Sequence, residues 1–380
     1  MLVRFSSILI LLAALTACGQ QASSPNKASG VSAAGEPAAT NFRWKLVTTW
    51  PKNYPGLGTA PEQFATLVER MSSGRLKIKV YGDGQLVPAM EVFDAVSRGT
   101  TEMGHGAAYY WKGKIPASVF FTAVPFGLNA QEMNAWLYHG GGMELWRETY
   151  KPFNLIPMAG GNTGVQMAGW FNREINSVAD LKGLKMRIPG LGGEVITRVG
   201  GEAVTIPGSE LYTALQTGVI DATEWVGPYN DQAFGFHQIA KYYYYPGWHE
   251  TGSSLEFIIN TEAWNTLPED LQAIVEVAAR AVNQDMLDEY TARNNASLVQ
   301  LVDEHGVQVR RLPDDVLIEL HRASAEVLTE LAASDALAQR AYDSQQAFLS
   351  QVSEYHKISE EAYYQTRRLL SKTSITKDDD

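Results

Sequence analysis

The sequence predicts an α/β protein of two lobes facing each other across a ligand cleft, with long helices at its C-terminal end. Three observations carry that prediction. A strand–loop–helix–strand pattern occurs twice, over residues 76–106 and again over 184–225. From Pro268 onward the chain reads as helix after helix. With 380 residues at 45% hydrophobic and 19% charged content, it is long and apolar enough to build more than one core.

The first element is "MLVRFSSILILLAALTACGQQ", with one positive charge at Arg4, an apolar run from Ile8 to Leu15 and small residues before Cys18. This is the pattern of a signal peptide over 1–17, and the run is too short to span a bilayer permanently. Leu15-Thr16-Ala17-Cys18 resembles a bacterial lipobox, which would make Cys18 the lipid-bearing N-terminus; an ordinary cleavable signal is the alternative. Cys18 is the only cysteine, so the mature chain offers no disulfide, cysteine nucleophile or thiolate metal site. Residues 18–41, rich in Ser, Ala, Gly and Pro, read as a flexible tether. The expectation is an extracytoplasmic body held to a membrane surface.

The body opens with "FRWKLVTTW" (42–50), a strand running to an exposed aromatic, and "APEQFATLVERMSSG" (60–74), a helix with Phe64, Leu67, Val68 and Met71 on one face. Then comes the repeat. "LKIKVYG" (76–82) and "LKMRIPG" (184–190) share Leu-Lys at the start, Gly at the end and the same alternation. Each leads to a Gly-stopped helix and a further short strand, in "EVFDAVSRGTTEMGHG" (91–106) and "ELYTALQTGVIDATEW" (210–225). Two such units imply a cleft at the carboxyl ends of their strands. The resulting division places lobe I at 42–164 with 253–290, lobe II at 165–252, C-terminal helices at 291–372 and a disordered tail at 373–380. "SLEFIINTEAWNTLP" (254–268) gives a strand and a Thr-capped turn, and helices are expected over 268–305, 313–333 and 335–371.

A net charge of −11 argues against nucleic acid as a partner. The seven histidines form no HExxH, and no GxSxG marks a nucleophile, so an enzyme is not expected. His249-Glu250 would point to opposite faces if it lay on a strand. "GLGG" (190–193) lacks the rest of a phosphate-binding frame and reads as a tight turn allowing close backbone approach.

What remains is one arginine among oxygens. Arg187 ends the strand of the second repeat, with Gln166 in "GNTGVQMAGWF" before it, and Glu224, Trp225 and Glu250 after it. Taken singly, each has a structural reading: a solvated or paired arginine, surface carboxylates, a core tryptophan. Trp50, Tyr109, Tyr110 and Trp248 are candidate aromatic walls.

From "NFRWKLVTTWP" to the C-terminal helices, the sequence resembles the solute-binding proteins of TRAP (tripartite ATP-independent periplasmic) transporters, within the branch that binds 2-oxo acids and related monocarboxylates. The resemblance rests on "YGDGQLVPAMEVFDAVSRGTTEMGHGAAYYWKGK", "DLKGLKMRIPGLGGEVITRVGGEAVTIPGSELYTALQTGVIDATEW" and "PGWHETGSS" in combination. It implies a periplasmic-binding-protein-like fold and delivery of a small carboxylate to membrane permease subunits. It also implies that Arg187 clamps the substrate carboxylate and that Gln166, Glu224, Trp225 (through its carbonyl) and Glu250 hold a bridging metal ion. Gln166, Trp225, Tyr109 and Tyr110 are the further candidate substrate contacts. The branch favours Na⁺, while Ca²⁺ is the alternative that better offsets two carboxylates and a bound acid. Arginine suits the clamp because its planar fork matches a carboxylate, which makes Lys79, at the equivalent place in the first repeat, a poor rival. The long C-terminal helices imply a homodimer. A lipoprotein that presents ligand to a receptor or sensor, without transport, is the alternative function.

Overall fold

Thr40 is the first residue described by the computed structural model and Ile375 the last. The expected signal segment, Cys18 and the tether up to Ala39 lie outside the described residues, as do 376–380. The chain first lays down β1 (Phe42–Thr48), α1 (Ala60–Met71), β2 (Leu76–Tyr81), α2 (Val92–Ser97) and β3 (Met103–Gly106). Pro61 in the first turn, Glu62 near the amino end and Arg70 near the carboxyl end suit α1 to its polarity. It buries Ala60, Phe64 and Val68, while Met71 turns out to solvent. Helices α3 (Ala130–His139) and α4 (Gly142–Tyr150) follow, the former started by an Asn129–Glu132 capping box, and then β4 (Leu155–Asn162).

After β5 (Gly169–Phe171) the second unit repeats the plan: β6 (Lys185–Arg187), α5 (Gly190–Arg198), β7 (Glu202–Val204), α6 (Gly208–Gln216) and β8 (Ala222–Thr223). Then come α7 (Pro228–Phe234), β9 (Tyr242–Tyr245), β10 (Ser254–Asn260), α8 (Thr261–Thr266), α9 (Glu269–Asp303), β11 (Gln308–Arg311), α10 (Asp314–Ser334), α11 (Ala336–His356) and α12 (Glu360–Ile375). One sheet has the strand order β2-β1-β3-β10-β4 and the other β11-β9-β5-β8-β6-β7. The 35-residue α9 packs against α1 and β4 beside the first sheet and against α7 beside the second, so it backs both lobes.

Sheet pairing corrects the repeat. In the first sheet β1 lies between β2 and β3, all parallel; in the second, β6 lies between β7 and β8, all parallel. The strand matching "LKMRIPG" is therefore β1, not "LKIKVYG", whose counterpart is the edge strand β7. Alternation in sequence marks a strand but cannot tell a central strand from its neighbour. With α2 and α6 aligned, His105 matches Glu224 and Gly104 matches Thr223. Val47, paired to Gly104, then matches Arg187, paired to Thr223. Lys79 is not the equivalent residue.

Other expectations change as well. Trp50 is 2% exposed, buried between the lobes rather than solvent-facing. The "GLGG" glycines form the first turn of α5, where a Cβ on Gly193 would stand 2.6 Å from the Ile188 carbonyl oxygen. Asn260, not a threonine, caps α8 by accepting from the Glu262 and Ala263 amides. The helix expected over 335–371 is two, broken at Lys357–Ser359, and the second continues through 373–375, where a disordered tail was expected. A strand, β11, interrupts the C-terminal helices and joins the second sheet beside β9.

Candidate functional site

Arg187 is the last residue of β6, at the carboxyl end of a central strand, and is 1% exposed. An ionised guanidinium removed from water costs several kcal/mol unless it is paired and hydrogen-bonded. Here one terminal nitrogen donates to the Glu224 carboxylate and, at 3.4 Å, to the Glu224 carbonyl. Nε donates to the Ile206 carbonyl at 3.3 Å, and the second terminal nitrogen to the Tyr110 hydroxyl at 3.4 Å. The Trp225 ring lies under the guanidinium, 5.1 Å from centroid to Cζ. Burial alone would pull the Arg187 pKa down; Glu224 and the two tyrosines outweigh it, so it stands above the ordinary value and the charge is fixed.

The chain leaves the first sheet after β4 and returns to it before β10, and these two crossings run side by side. Thr163 N donates to the Ser253 carbonyl at 3.1 Å, and Gln166 N to the Glu250 carbonyl at 3.1 Å. They approach so closely that a Cβ on Gly247 would stand 2.1 Å from the Gln166 carbonyl oxygen, so only glycine fits there. Gln166 and Glu250 are thereby brought together, Gln166 Nε2 donating to Glu250 Oε2 at 2.7 Å and to Thr163 Oγ1 at 3.1 Å. Ser253 also donates to the same Glu250 oxygen. Burial foremost, and then the neighbouring Glu224, push the Glu250 carboxyl up to about 7, against the pull of His249, Ser253 and Arg187.

Lobe I supplies the wall. Tyr109 and Tyr110 follow β3 in a short 3-10 turn, their rings edge to face at 4.9 Å. Trp50 sits 6.0 Å from Tyr110 and 6.1 Å from Trp225. Burial raises both tyrosine hydroxyls above the ordinary phenol value, so both stay neutral donors at neutral pH. Trp50, Tyr109, Tyr110, Gln166, Arg187, Trp225 and Glu250 line one cavity of about 10 Å³, closed further by Leu57, Thr163, Val226 and Leu255. That is about one water's worth of space, so anything larger enters only when the lobes part. A far larger groove, about 910 Å³, runs along α9 and α7, away from this chemistry.

The donor set fits a hard cation. Gln166 Oε1 is buried with no hydrogen-bond partner among the described residues. Ligand atoms of Glu224, His249 and Glu250 lie within 4.8 Å of one another. Apart from the His249 imidazole, these donors are amide and carboxylate oxygens, which suit Na⁺ or Ca²⁺ better than a transition metal.

Of the sequence-predicted site residues in the described region, Trp50, Tyr109, Tyr110, Gln166, Arg187, Trp225 and Glu250 line this cavity, and Glu224 pairs with Arg187 beside it. Trp248 does not line the cavity; its ring packs on Phe126 at 5.9 Å. His249 was set aside on the assumption of a strand. Residues 248–250 form a turn instead, and His249 Nε2 comes 3.4 Å from Glu224 Oε2. Its position beside Glu250 was the available signal. Leu57, Thr163, Val226 and Leu255 carry none, being ordinary residues until the fold brings them to the cavity.

The profile of DctP, the bacterial extracellular solute-binding protein family 7, matches residues 46–335. A monocarboxylate 2-oxoacid-binding periplasmic protein of Nostoc sp. is 44% identical over 325 residues, 85% of this chain and 88% of that one. A TRAP periplasmic solute-binding protein of Colwellia psychrerythraea, solved with bound calcium and pyruvate, is 45% identical with a TM-score of 0.84, covering 86% of this chain and all of that one, 100%. One from Pseudoalteromonas atlantica, solved with bound sodium and pyruvate, is also 45% identical at TM-score 0.84, covering 86% and 99%. The chain belongs to this family of TRAP-transporter solute-binding proteins.

Proposed function

We propose that this family 7 solute-binding protein captures a small 2-oxo or 2-hydroxy monocarboxylate, pyruvate or lactate in size, and delivers it to TRAP permease subunits in the membrane. The observation that carries the reading is the fully buried Arg187 facing an oxygen cluster that contains an unpartnered amide oxygen. Arg187 receives the substrate carboxylate, with Tyr110 and Tyr109 as hydroxyl donors. Gln166, Glu224, Glu250 and the Trp225 carbonyl would hold a cation, which when bound offsets the carboxylates and accepts the 2-oxo or 2-hydroxy oxygen. With Arg187 counted positive, and Glu224, Glu250 and the acid negative, the closed site carries a formal excess of two negative charges without it, relieved in part where Glu250, raised to about 7, keeps a proton. A cation that lets Glu250 ionise therefore favours tight closure. Na⁺ is the first assignment and Ca²⁺ the alternative; the two pyruvate-bound relatives hold one each.

Calorimetric titration of the chain from Thr40 onward with pyruvate, 2-oxobutyrate, lactate and a dicarboxylate, after chelation and then with Na⁺ or Ca²⁺ restored, tests this. The expected result is tight monocarboxylate binding that needs one cation. Binding indifferent to both cations would remove the metal from the reading, and binding of the dicarboxylate alone would remove the monocarboxylate.

We propose in addition that Cys18 carries a lipid, which mass spectrometry of the membrane-extracted protein would detect. A second copy is proposed to cover the C-terminal helices. Tyr355, Ile358, Tyr363 and Tyr364 are each more than half exposed there, an unusual apolar display for a monomer. A monomeric mass by light scattering at micromolar concentration would reject the dimer.

A further inference from the structure

His105 occupies on lobe I the sheet position that Glu224 occupies on lobe II, and the proposed binding reaction makes no use of it. It is wholly buried, and both ring nitrogens are engaged. Trp50 Nε1 donates to His105 Nδ1 at 2.9 Å, so Nε2 carries the proton and donates to the Gly160 carbonyl at 3.0 Å. The ring also packs on Phe257 at 4.7 Å. Burial, only partly opposed by the Gly160 bond, lowers its pKa to about 4, which keeps Nδ1 an acceptor at neutral pH. The imidazole is thus a fixed peg, set between a main-chain carbonyl and one indole.

That indole lines the ligand cavity. Trp50, Leu57, Val226 and Leu255 make up its apolar wall, while Arg187, Gln166 and Glu250 supply its charged and amide groups. We infer that His105 is a positioning residue which, by holding the Trp50 indole in place, sets the chain-length limit of the acid this site accepts. The inference rests on the monocarboxylate reading above. Even pyruvate exceeds the about 10 Å³ of free space here, so any acid enters with the lobes parted, and each further methylene of a longer tail must then press against whichever part of the wall does not yield. A tryptophan held by packing alone would swing aside. This one cannot move without leaving a buried donor and a buried acceptor unpaired, which is far costlier than losing a contact. The wall is stiff because its anchor is a directional bond rather than packing.

The test is a ratio. Dissociation constants for pyruvate and 2-oxohexanoate are measured by calorimetry in the presence of Na⁺ and Ca²⁺ for the wild type, His105→Leu and His105→Gln. The wild type is expected to prefer pyruvate by roughly a thousandfold, since 2-oxohexanoate carries three more methylenes and each in such a wall is worth about a factor of ten. His105→Leu, which offers the indole no acceptor, should shrink that preference by about tenfold while pyruvate affinity moves by less than about threefold. His105→Gln, with an amide oxygen to accept and an N–H to donate, should restore most of it. If both acids weaken by the same factor, or the ratio stays put, His105 is only a satisfied core residue and the inference is overturned. A wild type that prefers the longer acid overturns it too. Should His105→Leu not fold, His105→Phe, which keeps an aromatic ring against Phe257 but offers the indole no acceptor, is read by the same ratio. A wild type that binds neither acid refutes the monocarboxylate reading and this inference together. Tight pyruvate binding with an unmoved ratio refutes the role of His105 alone.

Discussion

Lobe I and lobe II set the same β-α-β-α-β plan on either side of the cleft, yet matching positions carry Val47 and His105 on one side and Arg187 and Glu224 on the other. The first pair is apolar or neutral, and the second is an ion pair with each side chain about 1% exposed. Duplication of the backbone therefore did not duplicate the chemistry. Lobe II holds the charges, the two crossings hold Gln166 and Glu250, and lobe I brings aromatic walls that remove water. An ionic contact is worth far more once water is excluded, so the aromatic walls of lobe I strengthen the lobe II ion pair by desolvation and touch its charge only through the neutral Tyr110 hydroxyl.

The sharpest way to break the comparison is to make the two sides alike. Arg187→Ala should reduce pyruvate affinity by at least about a thousandfold, roughly 4 kcal/mol, because it removes the clamp and strands Glu224 as a buried unpaired charge. Val47→Ala, at the matching position, should leave affinity within about threefold and cost only about 1–2 kcal/mol of stability for two buried carbons. Calorimetry and urea melts on both variants check the contrast; equal losses of affinity would mean that lobe II is not special.

Next in size is a carboxylate that lobe I buries without a cation. Glu256 is 0% exposed and accepts from Trp111 Nε1 at 2.6 Å. Burial, only partly relieved by Trp111 and Tyr150, raises its carboxyl to about 7. Its folded pKa lies above the ordinary value of about 4.3, so its contribution is fully present below about pH 4 and is lost as pH rises through 7. Glu256→Gln should be neutral or slightly destabilising at pH 4 and should gain up to about 3 kcal/mol relative to wild type by pH 8. A stability difference that stays flat with pH would show that Glu256 titrates normally.

A smaller effect belongs to the contact between lobes. Asn230 of α7 donates to the Pro55 carbonyl at 2.7 Å, accepts from Tyr290 at 2.6 Å, and its main-chain carbonyl accepts from the Tyr54 hydroxyl. Asn230→Ala should lower stability by about 1–3 kcal/mol through the buried groups it leaves unpaired, and should loosen pyruvate binding about tenfold. Unchanged affinity would separate this cluster from closure. Smallest is Lys112–Glu194, an ion pair across the cleft mouth that is partly exposed to solvent. Lys112→Ala should change affinity by less than about threefold, with the larger change in the salt dependence of association. Stopped-flow traces at two ionic strengths would show which parameter moves.

Much of this was legible in the residues. The strand at 42–50 and the Gly-stopped helices at 91–99 and 210–218 are local signals, and they mark elements that the fold contains. Arg187 could be read as a strand-end guanidinium, and its selection as a clamp came from the family resemblance. The repeat was found but assigned to the wrong strand, since β1 and β2 both alternate and only sheet pairing distinguishes them. The break at Lys357–Ser359 has no proline or glycine to announce it. His249 lies in a turn, so the opposite-face rule for neighbouring strand residues does not separate it from Glu250.

The family resemblance singled out the groups proposed to hold an acid and a cation; by itself the sequence determined most of the element types and their order. Those depend on spacings of two to four residues, which side-chain patterning reports directly. The tertiary structure alone decided that residues 84 positions apart, Gln166 and Glu250, share a hydrogen bond, that Trp50 is walled in rather than exposed, and that His105 serves as its anchor. Desolvation and pairing across the cleft are properties of surfaces brought together by folding, and no local period in the chain encodes which surfaces those will be.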